Sequence, residues 1–380
     1  MADEKGKGES SMKLKALVIL LLLAFLSGCM PTNIIDDILM VEAEGFDYIG
    51  HNQILGTATM PNYVQGGNPG GQGGGLPSTA SMMRYISGVT YDGKSLVDKF
   101  QREGQRQLKV GKIRVMLFDK KLAKHGMRNQ IDFRNRDPDT PRDLTIAVVE
   151  GSTNKLLTAQ DYQTQIPISR YVQDMIQQNN EQNYPSSNVS QFIYSYYGNY
   201  MDPFMPLIKK NGNHLEMTGI AIFKKDKYLM KVPNKDTFIF KMLFEKFKQG
   251  VYDFEFAPKK HIAIRNVHTT VNYKVKDGNS SAPDIYAYVK INGQVRQAYV
   301  GSISKSRAYR VEKPLEKQME QKASKLVHTF QKKGTDPLRL GDTVRSFTYN
   351  FDGKSWPERY QNAHFHCQVT VNISQTGISQ

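Results

Sequence analysis

PLEKQMEQKASKLVHTFQKKG, residues 314–334, is the stretch that decides the C-terminal architecture. Proline at its head fits a helix start, where the missing N–H costs nothing, and Gly334 just past its end fits a helix stop. Leu315, Met319, Ala323, Leu326, Val327 and Phe330 fall on one stripe. A helix of about 20 residues, roughly 30 Å long, therefore has a single face to bury. The flanking sequence supplies a flat surface to receive it. Ile262 and Ile264, then Val271, Tyr273 and Val275, then Ile285, Ala287, Val289 and Ile291 alternate with polar residues, the period of a half-buried strand. Asn292-Gly293 is the strongest short hairpin signal in the chain, with Val295 and Tyr299 on the returning strand. Phe365, Cys367, Val369, Val371 and Ile373 then alternate strictly. The expectation for 261–380 is an antiparallel sheet covered on one face by a long helix.

Toward the N-terminus the same periodicities interleave. Ile38 and Met40 begin a short strand. A helix-forming stretch from Lys94 to Leu108 puts Leu96, Phe100 and Leu108 on one face, and Ile113, Val115 and Leu117 follow as a buried strand. Gly126 closes a short helix around Leu122, and Leu144, Ile146 and Val148 form another strand. Pro167 opens an amphipathic helix through Ile168, Tyr171, Val172, Met175 and Ile176, which the polar run 177–191 ends. From Gly219 the chain reads as a hairpin, Ile220 and Ile222 leading through Lys224-Lys225-Asp226-Lys227 to Leu229. Strand and helix interleave in the N-terminal region, an α/β or α+β layer, and with the helix-covered C-terminal sheet the expected fold class is α+β. The tract GGNPGGQGGG, 66–75, is a flexible loop inside the first domain, and no phosphate-binding motif follows it.

The start of the chain carries its own signal. Lys13 and Lys15 precede an unbroken apolar run from Ala16 to Leu26, followed at once by Ser27, Gly28 and Cys29. That run matches the core of an export signal and falls short of the roughly 20 residues that span a bilayer. A cysteine after two small residues is a lipobox: its thiol accepts a diacylglycerol, and cleavage leaves Cys29 as the new N-terminus. Residues 1–29 are thus expected to be a lipoprotein signal peptide. Cys29 is the expected lipidation site, carrying palmitate-type chains, of which two or more anchor stably where one is marginal. Met12 resembles a natural start, with 1–11 upstream of it.

About 350 mature residues exceed the size of one core, so two or three domains are expected. Only Cys29 and Cys367 are cysteines, so disulfides do not hold the fold. A net charge of +15 fits either an anionic opposing surface, which export would make lipid and not nucleic acid, or simply a soluble basic surface.

Motifs that could carry chemistry have simpler explanations. His364 and His366 share the outward face of the last strand at a spacing that can bind a metal, but no third ligand accompanies them. Asp336 and Asp342 sit in a turn after a helix, where Asp serves the backbone. Arg134 to Asp139 form a charged loop, read as a solvated turn in preference to a docking surface. Cys367 lacks a base on its own face. No nucleophile elbow, Walker loop or dinucleotide fingerprint is present. No catalytic, cofactor or metal site is expected.

The order of these landmarks resembles the Ger(x)C family of spore germination lipoproteins, the C subunits of germinant receptors. Ile35-Asp36-Asp37-Ile38 and Gly45-Phe46-Asp47 follow the lipobox. The segment LAKHGMRNQIDFRNRDPDTPRDLTIAVVEGSTNKLL (122–157), the hairpin GIAIFKKDKYLMKV (219–232), and the C-terminal set Leu315, Glu316, Gln331, Lys332, Asp336 and Trp356 resemble family segments in order. The chain departs from the family in Met30-Pro31 after Cys29, where Trp-Asp is usual, and in the glycine-rich tract. The resemblance implies three successive mixed α/β modules, 30–210, 211–260 and 261–380. It also implies a non-enzymatic subunit on the outer face of the spore inner membrane, assembled with two polytopic subunits into a nutrient germinant receptor. The rival expectation is a solute-binding lipoprotein of a membrane transporter, which would show two similar lobes around a cleft; no such repeat is found.

Overall fold

The computed structural model describes residues 38–62, 83–91, 93–103, 106–164, 166–298 and 305–374. The expected signal peptide 1–29, with Cys29, and the tract 66–75 lie outside them. In chain order the strands are β1 (Ile38–Met40), β2 (Ala43–Gly50), β3 (Gln53–Pro61), β4 (Met83–Thr90), β5 (Gln107–Lys109), β6 (Val115–Asp119), β7 (Thr145–Val149), β8 (Phe204–Asn211), β9 (His214–Lys224), β10 (Lys227–Pro233), β11 (Val251–Ala257), β12 (Lys260–Lys276), β13 (Asp284–Ala298) and β14 (His364–Ser374). The described helices are α1 (Gly93–Glu103), α2 (Lys120–His125), α3 (Arg128–Arg136), α4 (Thr153–Thr158), α5 (Ile168–Glu181), α6 (Val189–Tyr197), α7 (Asn234–Phe244), α8 (Lys305–Lys333), α9 (Leu340–Phe347) and α10 (Trp356–Asn362).

Two larger sheets organise these elements. The first has eight strands in the order β10-β9-β8-β7-β6-β2-β3-β4, with β2, β6, β7 and β8 mutually parallel and antiparallel strands on both flanks. Every residue of β6 (VMLFD) and β7 (TIAVV) is buried, because helices cover both faces. Val115, Leu117, Ala147 and Val149 enter one core, while their neighbours Met116, Phe118, Ile146 and Val148 enter the other. The alternation read from the sequence captured one face of these strands; the second face is equally apolar.

The second sheet runs β11-β12-β13-β14. Ile285, Ala287, Val289, Ile291, Val369 and Val371 point inward against the α8 stripe Leu315, Met319, Ala323, Val327 and Phe330, in the same continuous core that backs the first sheet. Mixed α and β architecture with several sheets is therefore what the chain builds.

Several expectations need correction. The C-terminal sheet is not wholly antiparallel, because β14 pairs parallel to β13, from Asp284↔His364 to Gln294↔Ser374. Asn292-Gly293 makes no hairpin. Both residues lie inside β13, where a Cβ on Gly293 would come 2.8 Å from Ile264 Cγ2, so close strand packing selects the glycine. The chain reverses instead at 277–283, where Asp277 is left-handed and accepts from Ser280 N–H. Tyr299 lies outside the described residues. Helix α8 begins at Lys305, so Pro314 sits within it. Helix α1 ends at Glu103, leaving Leu108 to β5, whereas α5 runs on to Glu181. The expected middle module, 211–260, is divided: β9 and β10 complete the eight-stranded sheet and β11 belongs to the other.

Candidate functional site

Ligands in open α/β sheets collect at the carboxyl ends of the parallel strands. Here that position holds Asp47, Asp119 and Glu150, each delivered by a parallel strand or the residue after it. Asp47 accepts from Thr153 N–H at 2.7 Å, Asn154 N–H at 2.8 Å, Ser152 Oγ at 3.0 Å and Thr153 Oγ1 at 3.1 Å. It thereby satisfies the unpaired amides at the start of α4. The close fit explains Gly45, where a Cβ would lie 2.6 Å from Thr153 Oγ1. Asp119 caps α2 through Leu122 N–H at 2.7 Å and also accepts from Tyr48 N–H at 3.1 Å; burial raises its pKa. Glu150 accepts from Thr218 Oγ1 at 2.8 Å, Lys231 Nζ at 3.0 Å and Lys120 Nζ at 3.1 Å. Burial pushes the Glu150 carboxyl up, but the hydrogen bonds from Lys231, Thr218 and Lys120 outweigh it and bring it down to about 2.

Beneath these groups Arg134 and Glu44 form an ion pair in which both side chains are nearly inaccessible, and Arg134 also reaches Asp137 Oδ2 at 3.3 Å. The segment 134–139 is thus a buried anchor at its first residue, contrary to the solvated turn expected. A guanidinium this deep needs the carboxylate of β2 opposite it.

The C-terminal half uses carboxylates in another way. Glu320, Glu316 and Glu312 on α8 accept from the backbone N–H of Val369 at 2.9 Å, Val371 at 3.0 Å and Ile373 at 2.7 Å on β14. Four helical residues rise about 6 Å and two strand residues about 6.6 Å, so an i, i+4 ladder on the helix meets an i, i+2 ladder on the strand. This closes the sheet edge that β14 would otherwise expose. The sequence signal was Glu-x3-Glu-x3-Glu beside the apolar stripe, an arrangement that is repulsive in an isolated helix.

Asp336 is buried and binds Leu340 N–H at 3.0 Å and Gly341 N–H at 2.6 Å at the start of α9, while its own N–H donates to Asp202 Oδ2 at 2.8 Å. Burial, with Asp202 adding to it, pushes the Asp336 carboxyl up to about 7 against the pull of its two amides. Asp342 lies apart, half-exposed and paired with Arg345 at 2.8 Å. His364 and His366 are exposed, and the structure adds the acidic neighbour the sequence did not reveal: Asp284 Oδ1 lies 2.8 Å from His366 Nε2 and 3.5 Å from His364 Nδ1. Among the described residues no group of three or more His, Cys, Asp or Glu is disposed to hold a metal ion. Cys367 is half-buried, and burial pushes its thiol up to about 12, away from nucleophilic reactivity. The polar groups at the candidate crevice are engaged with helix amides and lysines, an arrangement suited to holding a rigid surface.

Two family models match end to end. "Spore germination protein N-terminal domain" covers residues 31–210, and "Spore germination B3/ GerAC like, C-terminal" covers 218–377. The chain belongs to the Ger(x)C family of spore germination proteins. Among Ger(x)C relatives, "Spore germination protein GerQC" of Bacillus cereus is 28% identical over 96% of this chain and 99% of its own. "Putative spore germination protein YfkR" of Bacillus subtilis (strain 168) is 23% identical over 96% of this chain and 97% of its own. The crystal structure of the GerBC protein superposes with a TM-score of 0.54 at 15% identity, covering 87% of this chain and 97% of that one, a likeness of fold. The two Ger(x)C models part at the β8–β9 turn, yet β8 and β9 are hydrogen-bonded neighbours, so the family's two halves share one sheet. Among the described residues no helix is long and apolar enough to cross a membrane.

Proposed function

We propose that this Ger(x)C protein is a lipid-anchored, non-enzymatic subunit of a nutrient germinant receptor, held through acylated Cys29 on the outer face of the spore inner membrane. It works by protein contacts with two polytopic membrane subunits, which carry nutrient recognition and ion movement, and it is required for nutrient-triggered germination. The observation that carries this reading is family membership across residues 31–377. The export signal ending in Ser27-Gly28-Cys29 supports the anchor, and acyl chains raise the subunit's effective concentration beside membrane partners. The engagement of Asp47, Glu44, Asp119 and Glu150 in structural bonds supports a scaffold role. Substituting Cys29→Ala is expected to release the protein from spore membranes and weaken germination. A variant that remains fully membrane-bound and acylated contradicts the proposal.

A further inference from the structure

A continuous rim of exposed cations and apolar side chains runs between two turns of the first sheet. At the β2–β3 turn, Ile49 is 47% exposed beside the left-handed His51 and Asn52. Tyr91, 62% exposed, is tied to the same turn by Gln53 Nε2 at 3.2 Å. The turn is locked to the end of α2: His125 stacks on Tyr48 with centroids 4.4 Å apart and reaches Asn52 Oδ1 at 3.1 Å. The next residues are locked to the β9–β10 turn, because Asp226 accepts from Arg128 N–H at 3.2 Å through its side chain and from Met127 N–H at 3.3 Å through its carbonyl.

Asp226 is thus turned onto the backbone and leaves the surrounding cations poorly answered. Nearby ion pairs use Lys120, Arg128 and Lys224. Lys121, Lys124 and Lys227 are exposed without a carboxylate partner among the described residues, and Lys225 meets only main-chain oxygens, including Gly198 O at 3.2 Å. Protruding Ile and Tyr side chains flanked by unpaired lysines match the interface of an anionic bilayer, where aromatic and aliphatic groups enter the headgroup layer and lysines meet lipid charge.

We propose that this rim docks onto the anionic phospholipid bilayer that carries the protein, with Ile49 entering the headgroup layer and Lys121, Lys124 and Lys227 reading its negative charge. The proposal rests on the membrane-anchored reading above and adds the face that meets the lipid.

The test uses full-length lipidated protein with Cys367→Ser, so that Ile49→Cys alone carries an environment-sensitive fluorophore. Vesicles are made of phosphatidylcholine alone or with phosphatidylglycerol. The expected result is a blue shift with phosphatidylglycerol, none without it, loss of the shift at high salt, and loss in Lys121→Glu/Lys124→Glu/Lys227→Glu. A Lys290→Cys probe on the C-terminal sheet stays unshifted. No shift at residue 49, or an equal shift in both vesicle types, overturns the proposal; so does a shift produced only by an added acidic peptide, which would make the rim a protein contact. Flotation of the same sample keeps the two readings apart. Protein that fails to float indicts the anchor, whereas protein that floats with an unshifted probe indicts the rim alone.

Discussion

In the eight-stranded sheet, Glu44 and Asp47 are buried carboxylates set between layers, whereas Glu312, Glu316 and Glu320 reach from a helix onto the outer strand of the four-stranded sheet. Both groups answer donors that would otherwise go unpaired, but the consequences differ. Glu44 is opposed by a guanidinium that water does not reach, so the pair stands or falls together. The edge glutamates divide their task among three similar bonds on a strand whose other side is already paired, so the loss of one leaves two in place. The first arrangement fixes how α3 and α4 seat on the sheet; the second fixes the register between α8 and β14.

Breaking the buried pair should have the largest effect. Arg134→Leu leaves Glu44 without its partner, and equilibrium urea unfolding is expected to show a loss of about 3–5 kcal/mol. A loss near zero would mean that water reaches Glu44 and that the two regions are alike. Glu316→Ala, the middle rung of the ladder, is expected to cost about 1.5–3 kcal/mol in the same assay, the range for a hydrogen bond to a charged group. If it equals the Arg134→Leu loss, the edge ladder is as indispensable as the interior and the contrast fails.

A pH series sharpens the comparison further. The Asp336 carboxyl, raised by burial to about 7 from an ordinary 3.8, holds its proton in the folded state where the unfolded chain has released it. Stability therefore falls as pH rises between those values, the reverse of a depressed carboxylate such as Glu150, whose contribution is lost as pH falls from about 4.5 through about 2. Melting temperatures across pH 4–8 should decline more steeply in the wild type than in Asp336→Asn; parallel profiles would mean that Asp336 is ionised throughout.

Much of the frame was legible in the sequence, and the failures have physical reasons. The α8 stripe has one apolar face and ends at Gly334, so local periodicity was enough to find it. Its true start was missed because Pro314 suits a first turn as well as a position inside a long helix whose other bonds tolerate one missing donor. Asn292-Gly293 misled because close packing with Ile264, rather than a turn, requires the glycine. Arg134 looked solvated because its partner Glu44 lies ninety residues away. The parallel pairing of β14 was equally invisible, since strand periodicity carries no direction. The expectation at Cys29 rests on a local pattern, while the proposed rim is assembled from turns that no local pattern connects.

The central claim, membership in a lipid-anchored receptor, is tested most directly by affinity capture of the chain from detergent-solubilised spore inner membranes, with mass spectrometry of its N-terminal peptide and co-purifying proteins. The account predicts a diacylated Cys29 together with two polytopic germination subunits. An unmodified chain, or transporter permeases in place of those subunits, would contradict it.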